Sequence, residues 1–143
     1  MTTVRPPITI VEADLDRHFT GIVEVYRANE WSHAQNPERL RTAIELSSYA
    51  VVATEGEQVV GFARAMSDGA FAVYIADILV LPELQRQGIG RSLVKELLDR
   101  YPMERFHHQV LVAERGAEGF YRRLGLVPVG SFGLTAFIRT RDQ

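Results

Sequence analysis

The chain contains no cysteine. Disulfides, zinc–thiolate sites and mechanisms that pass through a thiol nucleophile are therefore excluded. Tryptophan is nearly absent as well: the single one, Trp31, lies in the polar stretch Asn29 to Pro37 and not in an apolar run. No apolar run approaches the roughly 20 residues that a membrane-spanning helix needs. The N-terminal MTTVRPPITIVEADLDR has no apolar core between a basic head and a small-residue cleavage site, so it does not read as a secretory signal. A cytoplasmic location is the expectation. Nor is there an excess of one charge, since 16 Lys and Arg against 18 Asp and Glu leave a formal net charge of −2. That balance points away from nucleic acid and anionic membrane surfaces, and toward a small molecule as partner.

What is present fits one compact domain spanning 1–143, long enough to bury a core without covalent staples. Pro6 and Pro7 close a short polar tail before a strand at Ile8 to Val11. Asp14 or Asp16 caps a helix whose Leu15, Phe19, Ile22, Val23 and Tyr26 fall at helical spacing. Pro37 suits the first turn of a second helix, with Asn36 as its cap and Leu40, Ile44 and Leu46 as its apolar residues. From Tyr49 the period changes. Tyr49 to Thr54, Gln58 to Met66 and Phe71 to Leu81 read as an antiparallel meander, with Gly56 in the first turn and Ser67 to Gly69 as the second. A helix over Gly88 to Arg100 carries Ile89, Leu93, Val94, Leu97, Leu98 and Tyr101 on one face. Beyond it come a strand at Gln109 to Ala113, a helix carrying Ala117, Phe120, Tyr121 and Leu124 and stopped by Gly125, and strands at Val127 to Val129 and Leu134 to Ile138. The order is βααβββαβαββ. The strand–helix–strand unit in the middle requires a parallel crossover among hairpins, so the expected fold is α/β, a central mixed sheet with helices on both faces.

The most informative stretch is Gln85 to Ser92, QRQGIGRS, at the entry to the Gly88–Arg100 helix. Gly88 and Gly90 allow a ligand close to the backbone. The first amides of a helix have no internal partner and lie at the positive end of its dipole. Together they predict a pyrophosphate cradle, to which Arg86 and Arg91 can add charge-assisted contacts. Alternatively, the glycines only make a tight strand-to-helix turn. No P-loop pattern occurs, and the dinucleotide fingerprint lacks its third glycine, since Leu93 stands there.

Gln85-x-x-Gly88-x-Gly90, after a buried strand and Pro82-Glu83, resembles the acyl-CoA-binding motif of the GNAT superfamily of N-acetyltransferases. Phe120-Tyr121-Arg122-Arg123-Leu124-Gly125-Leu126 is similar to that family's second motif, and the order of elements matches over nearly the whole chain. The resemblance implies acetyl-CoA as the acetyl donor. The backbone of Ile78, Leu79 and Val80 would hold the pantetheine arm in the manner of an added strand. The backbone of Arg86, Gln87, Gly88, Ile89, Gly90 and Arg91 would hold the pyrophosphate, and Gln85 and Ser92, at the two ends of the motif, are expected to bind the cofactor as well. Glu114 stands where many members carry a cofactor-contacting asparagine, and the third meander strand has no well-matched glutamate. An acyl-CoA-binding sensor without turnover is the alternative that these departures leave open.

Transfer to an amine needs a neutral nucleophile and a proton for the departing thiolate. Tyr121 matches the residue many relatives use as that proton donor; otherwise it packs with Phe120 and Leu124. Asp77 is the only carboxylate in Phe71 to Leu81, so it requires either a task or a partner. Either it serves the acceptor, by taking the amine's proton directly or through water or by binding a cationic acceptor, or it forms a buried pair with an arginine. Trp31 and His33, in a loop that borders the acceptor pocket in relatives, and Tyr74 are expected to contact the acceptor; the alternative for Trp31 is an anchor that holds the loop. Whether Tyr74 and Asp77 share a face depends on a strand irregularity. His107 and His108, adjacent at a strand start, should point to opposite faces, and no metal site is expected. The edge strands between Val127 and Ile138 suggest a homodimer.

Overall fold

The computed structural model describes residues 4–141; Met1 to Thr3, which open the polar tail, and the last two residues lie outside the described residues. The chain divides into two compact units, the first ending at Val112 and the second beginning at Ala113.

The first unit contains β1 (Ile8–Glu12), α1 (Leu15–Ala28), α2 (Pro37–Glu45), β2 (Tyr49–Glu55), β3 (Gln58–Ser67), β4 (Ala72–Val80), α3 (Ile89–Arg100) and β5 (His108–Leu111). Local chemistry explains the boundaries. Asp14 caps α1 by accepting from the Asp16 amide, and Asn36 caps α2 by accepting from the Arg39 amide, with Pro37 in the first turn where its missing N–H costs nothing. Gly56, at φ 60°, closes the β2–β3 hairpin between the paired Glu55 and Gln58. Leu46 lies just past α2 and is 73% exposed, so it does not join the helix's apolar face.

The sheet order is β1-β2-β3-β4-β5. The first four strands pair antiparallel, and β4 pairs parallel with β5 through the α3 crossover. Adjacent residues of β3 show that helices cover both faces. The Phe62 ring lies 5.8 Å from the ring of Tyr26 on α1. At Gly61, a Cβ would come within 3.0 Å of the Leu93 side chain on α3 and 3.2 Å of the Leu79 carbonyl. A side chain at Gly61 would require Leu93 of α3 or the neighbouring strands to give by a few tenths of an ångström, so the glycine suits the close packing of α3 on β3. Ile22, Val25 and Tyr26 of α1, Val51 and Val52 of β2, and Leu93 and Leu97 of α3 are fully buried. Truncating Leu93 or Leu97 to alanine should cost about 2–5 kcal/mol.

The register of β3 against β4 shifts between Arg64 and Ala65. Arg64 opposes Asp77 and Ala65 opposes Ile75, so Ala76 is the extra residue of a bulge.

The second unit contains α4 (Glu118–Arg123) and a 3-10 turn at Val129–Phe132. The two strands expected at Val127 to Val129 and Leu134 to Ile138 do not form. Pro128 (φ −58°) brings no amide to a ladder, Val129–Phe132 closes into the turn, and Gly133 at φ 71° redirects the chain. Leu134 to Ile138 has strand-like composition, but without a ladder partner composition does not make a strand. Its apolar residues remain exposed, Phe137 at 94% and Ile138 at 63%.

Candidate active site

Six consecutive backbone amides, Arg86 to Arg91, donate to no backbone or side-chain acceptor among the described residues. Gly88 is the N-cap of α3 in the left-handed region at φ 89°, and nothing lies within 4 Å of where its Cβ would be. Arg86 also has positive φ, at 65°. Consecutive amides that point outward from a left-handed turn into a helix N-terminus form an anion-binding concavity. Arg86 and Arg91 are exposed and make no ion pair among the described residues. The residues present therefore fit a pyrophosphate.

Two motif residues are committed inside the chain. Ser92 gives both its amide and its hydroxyl to the Gly88 carbonyl, each at 3.1 Å. Gln85 turns its amide nitrogen back to the Val80 carbonyl at 3.1 Å and to Asn29 Oδ1 at 3.2 Å. Asn29 Nδ2 also donates to the Val80 carbonyl, at 3.0 Å. Gln85 and Asn29 thus tie the glycine loop and the end of α1 to the end of β4.

The end of β4 has one free side. Its pairing with β5 stops at Ile75 opposite Leu111, whereas β4 continues to Val80. The Leu81 amide bonds to Val60, which makes Leu79 the next residue directed at β3. By alternation, Ile78 and Val80 turn their backbone groups to the open side. The Val80 carbonyl there is occupied by Asn29 and Gln85. The Ile78 amide and carbonyl and the Val80 amide are left for an added strand-like ligand.

Asp77 is buried, 6% exposed. Its Oδ2 accepts from the Tyr26 hydroxyl and from Arg64 Nε, each at 2.6 Å. Burial first, then the charge of Asp77 and its hydrogen bond, raises the Tyr26 phenol far above its usual range, so it stays protonated. Burial disfavours the Arg64 charge, but the hydrogen bond and charge of Asp77 outweigh it and the guanidinium stays protonated. Asp77 therefore has its arginine partner, one of the two roles open to it from sequence. Its Oδ1 carries no hydrogen bond among the described residues and is not among the fully buried polar atoms, so solvent reaches it.

The bulge decides which residues share this site. Arg64 and Met66, two apart on β3, lie on one face; Arg64 opposes Asp77 and Met66 opposes Tyr74. Tyr74 and Asp77 thus project from the same face despite an odd spacing that would separate them on a regular strand. It is the α1 face, on which Phe62 meets Tyr26. Trp31 and His33 join it through Tyr26. The His33 ring stacks on that of Tyr26 at 5.2 Å, Trp31 meets the same ring edge-on at 5.8 Å, and the two lie 5.4 Å apart.

Tyr26, Asn29 and Arg64 take part in this site without having been singled out from sequence. Tyr26 lies on the helical apolar stripe and reads as core. The one available signal was Arg64, the only charge within Val59 to Met66, set against a buried carboxylate in need of a partner.

Tyr121, in the second unit, is half-buried and packs edge-on against Phe120 at 4.9 Å. Burial, and secondarily the charge of Glu114, raise its phenol pKa. Arg122 and Arg123 are exposed. His107 and His108 depart from expectation: their Nδ1 atoms are 2.9 Å apart. His107 precedes β5, so strand alternation does not separate the pair. No group of three metal-ligating side chains occurs among the described residues, and no helix among them is long and apolar enough to cross a membrane.

Residues 15–140 match the family model described as an acetyltransferase (GNAT) domain. The rice protein serotonin N-acetyltransferase 2, chloroplastic, is 35% identical over 112 residues, which are 74% of this chain and 56% of that protein. The Arabidopsis thaliana GCN5-related N-acetyltransferase 1, chloroplastic, is 38% identical over 86 residues, 59% of this chain and 44% of that one. The chain thus spans about half the length of these curated relatives. Among solved structures, a GNAT-family acetyltransferase from Streptococcus pneumoniae superposes with a TM-score of 0.81 at 31% identity, covering 96% of this chain and all of that one.

Proposed function

This chain belongs to the GNAT family of acetyltransferases, and we propose that it transfers an acetyl group from acetyl-CoA to the primary amine of a small-molecule acceptor. The observation that carries this reading is the run of six unpartnered amides, Arg86 to Arg91, beside the open end of β4. A pyrophosphate and a peptide-like arm are what such a pair of features accommodates. The family match favours transfer over a sensor that only binds.

Acetyl-CoA supplies a thioester carbonyl and a thiolate leaving group. The cradle residues hold the phosphates through backbone amides, while Arg86 and Arg91 balance their charge. The open groups of Ile78 and Val80 align the arm. Trp31, His33 and Tyr74 surround the acceptor, and Asp77 Oδ1 orients its amine. The ammonium loses one proton, to Asp77 directly or through water. The neutral amine then forms the new N–C bond as the C–S bond breaks, and the nitrogen releases its second proton, which balances the one taken up by the sulfur. Following the family resemblance, Tyr121 returns one proton to the departing sulfur; its raised pKa keeps that proton available at neutral pH. No covalent enzyme intermediate is required. A cytoplasmic location and a homodimer formed through the apolar C-terminal segment complete the reading; the exposure of Phe137 and Ile138 supports the homodimer.

Thiol release from acetyl-CoA, followed against a panel of primary amines, tests the function. Release above background with at least one amine is expected. Tight acetyl-CoA binding without release from any amine would return the chain to the sensor class.

A further inference from the structure

The Arg64–Asp77 pair presents two unused ends. Asp77 accepts both of its hydrogen bonds at Oδ2, and Arg64 donates from Nε to Asp77 and from Nη1 to Ser47 Oγ at 3.4 Å and Met66 Sδ at 3.9 Å. Asp77 Oδ1 makes no hydrogen bond among the described residues; the Arg64 guanidinium also interacts with the Tyr26 hydroxyl, but no contact to another side chain falls on its Nη2, and neither Oδ1 nor Nη2 is a fully buried atom without a partner. Solvent therefore reaches one anionic acceptor and one cationic donor. They belong to directly opposed residues of β3 and β4 on the same face, within a few ångströms of each other. Their rim is Met66 and Tyr74, exposed at 42% and 43%.

A floor of this kind discriminates by charge pattern. A purely cationic acceptor is attracted by Asp77 but meets Arg64 beside it, and a purely anionic one meets the reverse. A molecule with an ammonium and a carboxylate on one carbon satisfies both ends at once, and leaves neither half of the buried pair desolvated against an apolar group. We propose that the acceptor is an α-amino acid, its ammonium on Asp77 Oδ1 and its carboxylate on Arg64 Nη2. This rests on the transferase reading above and specifies its acceptor. The ammonium loses one proton to give the neutral amine, which forms the N–C bond to the acetyl carbon as the C–S bond breaks; the nitrogen then releases a second proton, the sulfur takes up one, and the carboxylate is unchanged.

Matched acceptors test this with the intact wild-type chain: phenylalanine against phenethylamine, leucine against isoamylamine, and each amino acid against its methyl ester. Thiol release is the readout. The amino acids should have kcat/KM higher by about tenfold or more, a discrimination that one charge-assisted contact supplies. Arg64→Lys, which keeps a charge beside Asp77 but loses the planar fork, should raise KM for amino acids and shrink the discrimination. Equal or better use of the decarboxylated amines and esters overturns the amino-acid assignment and leaves the transferase reading standing. No release from any of them overturns the transferase reading, and the assignment falls with it.

Discussion

The Tyr26 hydroxyl, on a helix, donates to the Asp77 carboxylate, on a strand 51 residues later, across 2.6 Å in the interior of the first unit. The same oxygen accepts from Arg64, so one carboxylate atom joins α1, β3 and β4 at the bulge. Tyr26→Phe removes the hydroxyl and keeps the ring that packs on Phe62 and His33. It should lower stability by about 1.5–3 kcal/mol, the range for a hydrogen bond to a charged group. Urea denaturation measures this, and an unchanged midpoint would show that the bond adds nothing to the fold.

Arg64→Met strands a buried carboxylate and should cost more, about 3–5 kcal/mol. Adding Asp77→Leu removes the orphaned charge and should restore part of that loss. A double variant no more stable than Arg64→Met would falsify the view that the pair's main energetic feature is mutual neutralisation.

Gly88→Asp places a side chain at φ 89° and a negative charge in the amide cradle. Acetyl-CoA affinity should fall by on the order of a hundredfold or more, equivalent to about 2.7 kcal/mol of binding. Titration calorimetry reads the affinity, and circular dichroism checks that the variant folds. Unchanged affinity in a folded variant would remove the phosphates from this loop.

Tyr121→Phe should reduce kcat far more than it alters acetyl-CoA binding, by about 10²–10⁴-fold if the hydroxyl protonates the leaving sulfur. The two measurements separate a chemical role from a packing one. Equal turnover would leave Tyr121 as a partner of Phe120.

His18 gives the stability a pH dependence. It is buried on α1, and its Nδ1 accepts from the Asp14 amide at 3.0 Å. Burial foremost, then the charge of Arg17, hold its pKa below the ordinary 6.5, against opposing pulls from Asp14 and Glu57. As pH falls, the unfolded chain takes up the proton first. His18's contribution is therefore complete above pH 6.5 and is lost as pH drops through the folded value. The thermal midpoint should decline from pH 7 toward about pH 5, and His18→Gln should flatten that decline. Identical slopes would place the titration on another group.

Exposed apolar residues of the C-terminal segment test the homodimer. Sedimentation should give twice the 16.1 kDa chain mass, and Phe137→Lys should shift it toward the monomer. A wild-type monomer at micromolar concentration would withdraw the dimer.

The sequence alone determined the features that depend on neighbours along the chain. The helix cap at Asn36, the start of α1 at Asp14 or Asp16, the Gly56 turn and the amphipathic face of α3 follow from local sterics and periodicity. So does the cradle, because glycine at Gly88 followed at once by a helix leaves amides unpartnered whatever packs elsewhere. Tertiary structure decided what depends on partners distant in sequence. Leu134 to Ile138 has the residues of a strand, but a strand needs a ladder, and no composition guarantees one. The β4 bulge is a matter of register against β3: one extra residue at Ala76 returns Tyr74 and Asp77 to a common face. Asp77 could be read as a charge in need of a partner, but its pairing with both Arg64 and Tyr26 emerged only when α1 packed across the sheet. Solvent reaches Asp77 Oδ1 because both of those bonds converge on the other oxygen, a geometry that no spacing along the chain encodes.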